Sequence, residues 1–540
     1  MKTVFFAKPL SFFTPQCSLA PLSLVIALSL AGCAQQSQQS EGQQSQGQHQ
    51  APAPAKRWLA GDHHIHTHYS VKWDNSVFPP KPIIGGDAKY SIPLNAQMAS
   101  HYGLDWIVLT DHGGPNRAEL ALKQAYPELL ASRRALPQIL QFHGMEFDVP
   151  GNAPGGRHAS LIMPYRPDAV VNGSRPNEAE QLFSIERIYN GRQGVPPGPE
   201  KADDAYMLKA LAAMSKLPDP PLLLANHPAR LAKGFRQYFK ITPKQLRDWQ
   251  DTAPGVMIGM TGAEGHQAAT LNPDGSPKPD GIRGEYPDHP TYGGYDQMTA
   301  RLGGVWDSLL SEGRRFWVTG VSDSHGHYTD GWADFWPGQY AKTYVLADKN
   351  YDAIFAALKS GNIFVTTGDL IDELDLSAQV QGVQEQGAQM QGADSTKVAK
   401  AGESLQVKAG SNVLVQIRFR VPAALNGGLE RPQVARLDVI GGQITDPAAD
   451  RNNDRNSDEA PQTRVLQRFD QTEFLKVSDD SHGVVYQLSY SLKNLQQNQY
   501  IRLRGTNQRD ELEPKADTKG ENPWSDLWFY SNPVFIEVGQ

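Results

Sequence analysis

From Trp58 to about Gly368 the chain alternates between two patterns. Short uninterrupted apolar runs, among them DWIVLT, ILQFHGME, ASLIMP, PLLLANHP, VMIGMTG and RFWVTGVSD, are separated by stretches such as PLNAQMASHYG, DAYMLKALAAMSKL, TPKQLRDWQ and YDAIFAALKSG. The runs have strand length and no polar face, which predicts strands buried on both sides. The stretches between them repeat apolar residues at helical spacing. About seven such units in roughly 310 residues predict a parallel sheet wrapped by helices, an α/β fold closed or nearly closed into a barrel. After Gly368 the period changes to strict alternation, as in SNVLVQIRFRV, GVVYQLSYSL and QYIRLRGT. This predicts a separate antiparallel β domain over residues 369–540, resembling a sandwich and broken by a Gln/Gly insert (Gln379 to Gly392) and the polar insert DRNNDRNSD.

The N-terminus follows neither pattern. Lys2 and Lys8 precede an apolar run from Leu19 to Leu30, shorter than the roughly 20 residues a bilayer span needs. Residues 1–32 therefore read as a cleaved export signal. The ending Leu30-Ala31-Gly32-Cys33 resembles a bacterial lipobox, which implies lipidation of Cys33 as the first residue of the mature chain. Residues 33–57, rich in Gln, Ser and Pro, have the composition of a flexible tether. The other cysteine, Cys17, lies inside the signal, so the mature chain would form no intrachain disulfide. Ala34 follows the cysteine, which by resemblance to lipoproteins of two-membrane bacteria implies the outer membrane, facing periplasm or cell surface.

Composition narrows the function classes. With 39% hydrophobic and 20% charged residues the chain is globular rather than disordered or polytopic. A formal charge of −7 repels phosphate backbones, so no nucleic-acid partner is expected.

Histidine and carboxylate fall at the ends of the apolar runs, where a β/α barrel places its active site. GDHHIHTHYS contributes His64 and His66, which strand alternation points to one side. VLTDHG contributes Asp111 and His112, FHGMEF Glu146, RHASLIMP His158, LLANHPAR His227, and GVSDSHGH Asp323 and His325. Imidazole with carboxylate and no thiolate suits Zn, Mn or Fe. His63 and His68 stay unassigned, and His101 and His143 read as surface or packing positions.

GDHHIHTHYS, LDWIVLTDHG, GMEF, RHASL, ANHP and GVSDSH, in this order, resemble the metal-binding motifs of the PHP (polymerase and histidinol phosphatase) metallohydrolases, and the closing ALKSGNIFVTTGD resembles the CehA/McbA-like subgroup. The resemblance covers residues 58–368. It implies a distorted (β/α)7 barrel holding two or three divalent ions on His64, His66, His112, Glu146, His158, His227, Asp323 and His325, with Glu146 and Asp323 bridging. The acid that often follows the first motif is displaced here, leaving Asp74 or Asp87 to supply it, with Asp87 favoured by its distance to TDH. Asp111 reads as an acceptor that orients a ligand.

The implied chemistry is hydrolysis of a small anionic or ester substrate, in the favoured case a phosphoester attacked by a metal-bridging hydroxide. Arg157 and Arg230 are candidates to hold substrate oxygens. His266 is a candidate proton donor, with Glu264 fixing its tautomer, and His327 lies near the expected substrate site. Trp332 in GWADFWPGQ is a candidate contact for an apolar part of the substrate. Two alternatives stay open: a carbamate, ester or amide hydrolase on the same metals, and a non-catalytic metal-binding surface lipoprotein.

Overall fold

The computed structural model describes residues 56–114, 117–151, 157–168, 175–189, 203–381, 398–445 and 455–539. The expected export signal, Cys33, nearly all of the tether, most of the Gln/Gly insert and the first half of DRNNDRNSD lie outside them.

The fold is mixed α/β, built on one large sheet. Its first nine strands are β1 (Arg57–Ile65), β2 (Trp106–Leu109), β3 (Leu140–Asp148), β4 (His158–Ile162), β5 (Leu222–Asn226), β6 (Met257–Ala263), β7 (Trp317–Gly320), β8 (Ala341–Ala347) and β9 (Ile363–Thr367). Their order across the sheet is β9-β8-β1-β2-β3-β4-β5-β6-β7. Amphipathic helices lie between them, including Ile92–His101, Asp204–Met214, Pro243–Thr252 and Tyr351–Ser360. Thr242 and Gln245 cap the third of these reciprocally, with Pro243 opening its first turn. Gly61 lets β1 lie close to β2: a Cβ there would fall 1.9 Å from the Trp106 ring.

The expectation of an all-parallel sheet is corrected. β4 runs antiparallel to both β3 and β5, and β8 antiparallel to β1. Nine residues separate β3 from β4, too few for the crossover a parallel return requires, so the chain returns antiparallel. This is why His158 opens its strand instead of ending one, yet reaches the same rim as Glu146: Asp148 pairs with His158 in the β3–β4 register.

Side chains stitch the seam between β7 and the β8–β9 side of the sheet. Thr343 Oγ1 accepts from Gly320 N (2.9 Å) and donates to Gly320 O (2.7 Å). The Asn532 amide accepts from Val318 N and donates to Val318 O, both at 3.0 Å, in the manner of a strand neighbour. One backbone bridge, Ile65 with Ser324, joins β1 to the segment after β7.

The alternating C-terminal region forms strands as expected, and the large sheet runs on into it. Trp528–Ser531 pairs with β9, Gln499–Thr506, Val534–Gly539 and Ser404–Lys408 follow, and Arg436–Gln443 with Arg464–Asp470 branches from Gln499–Thr506, for 15 strands among the described residues. A second, five-stranded antiparallel sheet contains Glu373–Val380, Val413–Pro422 and Gly483–Leu492. Phe419 of that sheet meets Phe529 of the large one, with ring centroids 6.4 Å apart. Trp524, Trp528, Phe529 and Tyr530 are buried.

Candidate metal centre

The ends of β1 and β3 and the turns after β2, β5, β6 and β7 converge on one buried cluster. Alternation along β1 turns His64 and His66 inward together, with their Nε2 atoms 3.1 Å apart, while His63 faces the opposite side and meets Thr319 Oγ1. Glu146 lies at the middle of the cluster. Its carboxylate is 3.3 Å from His64, 3.5 Å from His66, 2.7 Å from His112, 2.9 Å from His158 and 3.4 Å from His227. Asp323 forms the second focus, 3.3 Å from His64, 3.1 Å from His66, 3.0 Å from His266 and 3.7 Å from His325. His227 (φ 31°), His266 (φ 53°) and Asp323 (φ 47°) all adopt left-handed backbone conformations, the strain that functional turns often carry.

Supporting bonds settle which ring nitrogens face the cluster. Asp111 accepts from Thr67 N (2.6 Å), Thr67 Oγ1 (2.8 Å) and Ser70 Oγ (2.9 Å). Ser70, its proton so engaged, accepts from His66 Nδ1 at 2.8 Å, leaving the Nε2 lone pair to the centre. Asp111 thus reaches His66 through Ser70. His325 Nδ1 likewise donates to the Asp323 carbonyl (2.8 Å).

The charges fit a cation site. Burial alone would push the Glu146 carboxyl up, but His158, His64 and His112 outweigh it and hold it well below the usual carboxylate range. Asp323 is held down in the same way, against its burial, by His64 and His266. Burial lowers His227 to about 4, so its ring is neutral and able to ligate. His158, although buried, is pushed up to about 10 by Glu146 and Asp148. Four groups in the cluster have ligand atoms close enough to share an ion: His64, His66 and Glu146; Glu146, His158 and His227; His66, His112 and His325; and His266, His325 and Asp334.

Above the cluster opens a cleft of about 360 Å³, lined in part by Asp87, Arg230, Glu285, Trp332 and Asp334. Asp87 approaches His112 Nε2 at 3.3 Å, whereas Asp74 is bonded to Ser76 within its own exposed turn, so the first of the two candidates is the one at the site. Arg230 reaches the cleft.

Three expected residues stand elsewhere. Arg157 is turned away to Asp204 (2.8 Å) and does not line the cleft. His327 is also outside it: Nε2 meets Gln339 Oε1 (3.0 Å), Nδ1 meets Thr329 Oγ1 (2.7 Å), and the ring stacks on Trp336. Glu264 does not touch His266 but accepts from Thr261 Oγ1 (2.8 Å), and burial beside Asp296 pushes its carboxyl well up. The carboxylate on His266 Nδ1 is Asp334, a residue of a distant loop with no local signal in the sequence. Asn226 was also missed. Its amide donates to Glu146 Oε1 (3.2 Å) and its carbonyl accepts from Ser160 N and Oγ (3.1 and 2.9 Å); its place just before His227 in ANHP was the available clue.

No protein-family model matches the sequence, and no curated protein matches it. A solved two-domain protein from Bacteroides vulgatus ATCC 8482, described as containing a predicted PHP-like metal-dependent phosphoesterase, aligns with 88% of this chain and 98% of its own at 14% identity, with a TM-score of 0.34.

Behind His112, the Gly114 N–H donates to Glu186 Oε1 at 3.0 Å. Burial pushes the Glu186 carboxyl up to about 8, against the opposing pull of that bond and of Arg117. A folded pKa above the unfolded value favours the folded state fully below the unfolded pKa, near 4.3, and the benefit is lost as pH rises through about 8. Glu186→Gln keeps the acceptor and never ionises. Its melting temperature should match the wild type at about pH 4 and exceed it by a few degrees at about pH 9. Thermal melts across that range check this, and parallel curves would refute it.

Proposed function

We propose that the protein is a metal-dependent hydrolase of the PHP type, acting as a phosphoesterase on a centre of two or three divalent ions, Zn, Mn or Fe. In this reading β1–β9 are the distorted barrel and the strands after residue 368 a sandwich-like domain. The export signal and Cys33 would hold the enzyme at the outer membrane. The observation that carries the reading is shared ligation: Glu146 belongs to two of the ligand groups and His66 to two. A closed structural zinc site uses four ligands once each, whereas overlapping groups suit a multinuclear catalytic centre.

The ions, when bound, would acidify water and neutralise the oxygens of a phosphoryl group. The chain's own residues would do the rest. Asp87 stands beside His112 to extend the ligand set. Arg230 presents its guanidinium to a substrate oxygen. His266, with Asp334 on Nδ1, directs Nε2 toward Asp323 at the cleft wall, where it can orient the leaving group or pass it a proton.

The test is metal analysis of the purified protein together with hydrolysis of p-nitrophenyl phosphate, bis-p-nitrophenyl phosphate and 1-naphthyl N-methylcarbamate. The expected result is about two or three ions per chain and cleavage of a phosphate ester that a chelator abolishes and metal restores. Cleavage of the carbamate alone would move the protein to the second hydrolase class. Absence of metal would remove the catalytic reading.

A further inference from the structure

The cleft lining holds five carboxylates, Asp87, Glu146, Glu285, Asp323 and Asp334, and Arg230 is its one lysine or arginine among the described residues. Four of the five lie against imidazoles: Asp87 on His112, Glu146 on the β1 pair, Asp323 on His266, and Asp334 on His266. Glu285 is different. Its carboxylate meets Arg230 Nη2 at 2.9 Å, while Nη1 of the same guanidinium lies 3.8 Å from Asp323. Arg230 is fixed to the turn after β5 by its backbone bond to the His227 carbonyl (3.0 Å). The guanidinium therefore spans from the centre to the half-exposed Glu285 at the rim.

Glu285 is held there against a backbone preference. It has φ 51°, following Gly284 at φ 67°, and a side chain rarely adopts this region without enforcement. The enforcement is visible. Gly284 N donates to the His266 carbonyl (3.1 Å), and buried Arg283 is bonded to Gln267 (2.9 Å), Tyr340 (2.7 Å) and Glu521 (3.0 Å). A pinned, strained acid paired with the cleft's one guanidinium has an electrostatic consequence. Any anion that uses Arg230 must compete with Glu285 and tolerate its charge, while the other four carboxylates offset much of the charge that metals bring.

We propose that Glu285 is a specificity-determining residue that makes this cleft favour singly charged phosphodiesters over doubly charged phosphomonoesters. The proposal rests on the phosphoesterase reading. Repulsion grows in proportion to ligand charge, so a dianion loses twice the free energy that a monoanion loses.

The test uses unreactive probes on the metal-loaded full chain: calorimetric binding of phenylphosphonate and of methyl phenylphosphonate at about pH 8, above the second ionisation of a phosphoryl group. Glu285→Gln should tighten the dianion about tenfold and the monoanion about threefold, the second factor being roughly the square root of the first. The ratio of kcat/KM for bis-p-nitrophenyl phosphate to that for p-nitrophenyl phosphate should fall about threefold in step. Asp288→Asn breaks the neighbouring Asp288–Lys233 pair (2.7 Å) between the same two loops, and should leave both ratios unchanged. If Glu285→Gln leaves the ratio of the two dissociation constants unmoved, or Asp288→Asn moves it equally, the specificity proposal is overturned and the phosphoesterase reading stands. If metal-loaded wild type binds neither phosphonate and cleaves neither ester, both fall.

Discussion

Glu146→Gln should strip the centre of metal while the protein stays folded. The carboxylate lies within 3.5 Å of five imidazoles, and it joins two of the four overlapping ligand groups. The amide keeps the volume but brings no charge, and its NH2 would point a donor where a cation belongs. At least one ion per chain should be lost, and hydrolysis should fall by roughly a thousandfold or more, because an interaction needed at every stage of the reaction is removed. Elemental analysis and circular dichroism of the variant check this together. Asp74→Asn, in an exposed turn, is the matched control and should change neither. A Glu146→Gln protein with full metal content would sink the assignment of this residue as the shared ligand.

Arg502→Met should lower the unfolding free energy by about 3–5 kcal/mol, the loss expected when one partner of a buried ion pair is removed. Arg502 and Asp307 are both fully buried and joined through two bonds, Nε to Oδ1 at 2.8 Å and Nη2 to Oδ2 at 2.7 Å. Tyr500 donates to the same aspartate (3.0 Å), and the guanidinium lies 4.7 Å over the Trp306 ring. These contacts tie helix Val305–Ser311, which leads into β7, to strand Gln499–Thr506. The double variant Asp307→Leu/Arg502→Met should recover much of the loss, since it leaves no uncompensated charge. Denaturant titration of the three proteins measures this. A single variant costing less than about 1 kcal/mol would mean that water reaches Asp307.

Much of the candidate site could be read in the sequence because it depends on local rules. The two-residue alternation of β1 puts His64 and His66 on one side whatever the rest of the fold does, and strand-end turns gather His112, His227 and Asp323. What was not legible depends on where distant segments meet. Nothing near Asp334 announces that it would take His266 in place of Glu264, which lies only two residues from the histidine but is drawn to Thr261. Arg157 adjoins His158 in sequence, yet it stands just ahead of β4 and its partner Asp204 is on a helix far along the chain. The direction of β4 was hidden for a related reason. A buried strand's composition does not encode its polarity, and the short return from β3 outweighed the barrel expectation.

The Asn532 stitch gives the molecule an order of assembly. A chain emerging from the ribosome can pair β1 through β9 early, yet Val318 keeps an unpaired N–H and C=O and β9 an open edge until residues 528–532 arrive. Until then the half that carries the histidine cluster has a template on which a second nascent chain could pair. The sheet that carries the clustered histidines is therefore completed by residues more than 200 positions downstream of His325. Lesions near position 532 should be felt first as lost yield and aggregation during synthesis, before any change in the chemistry of the finished protein.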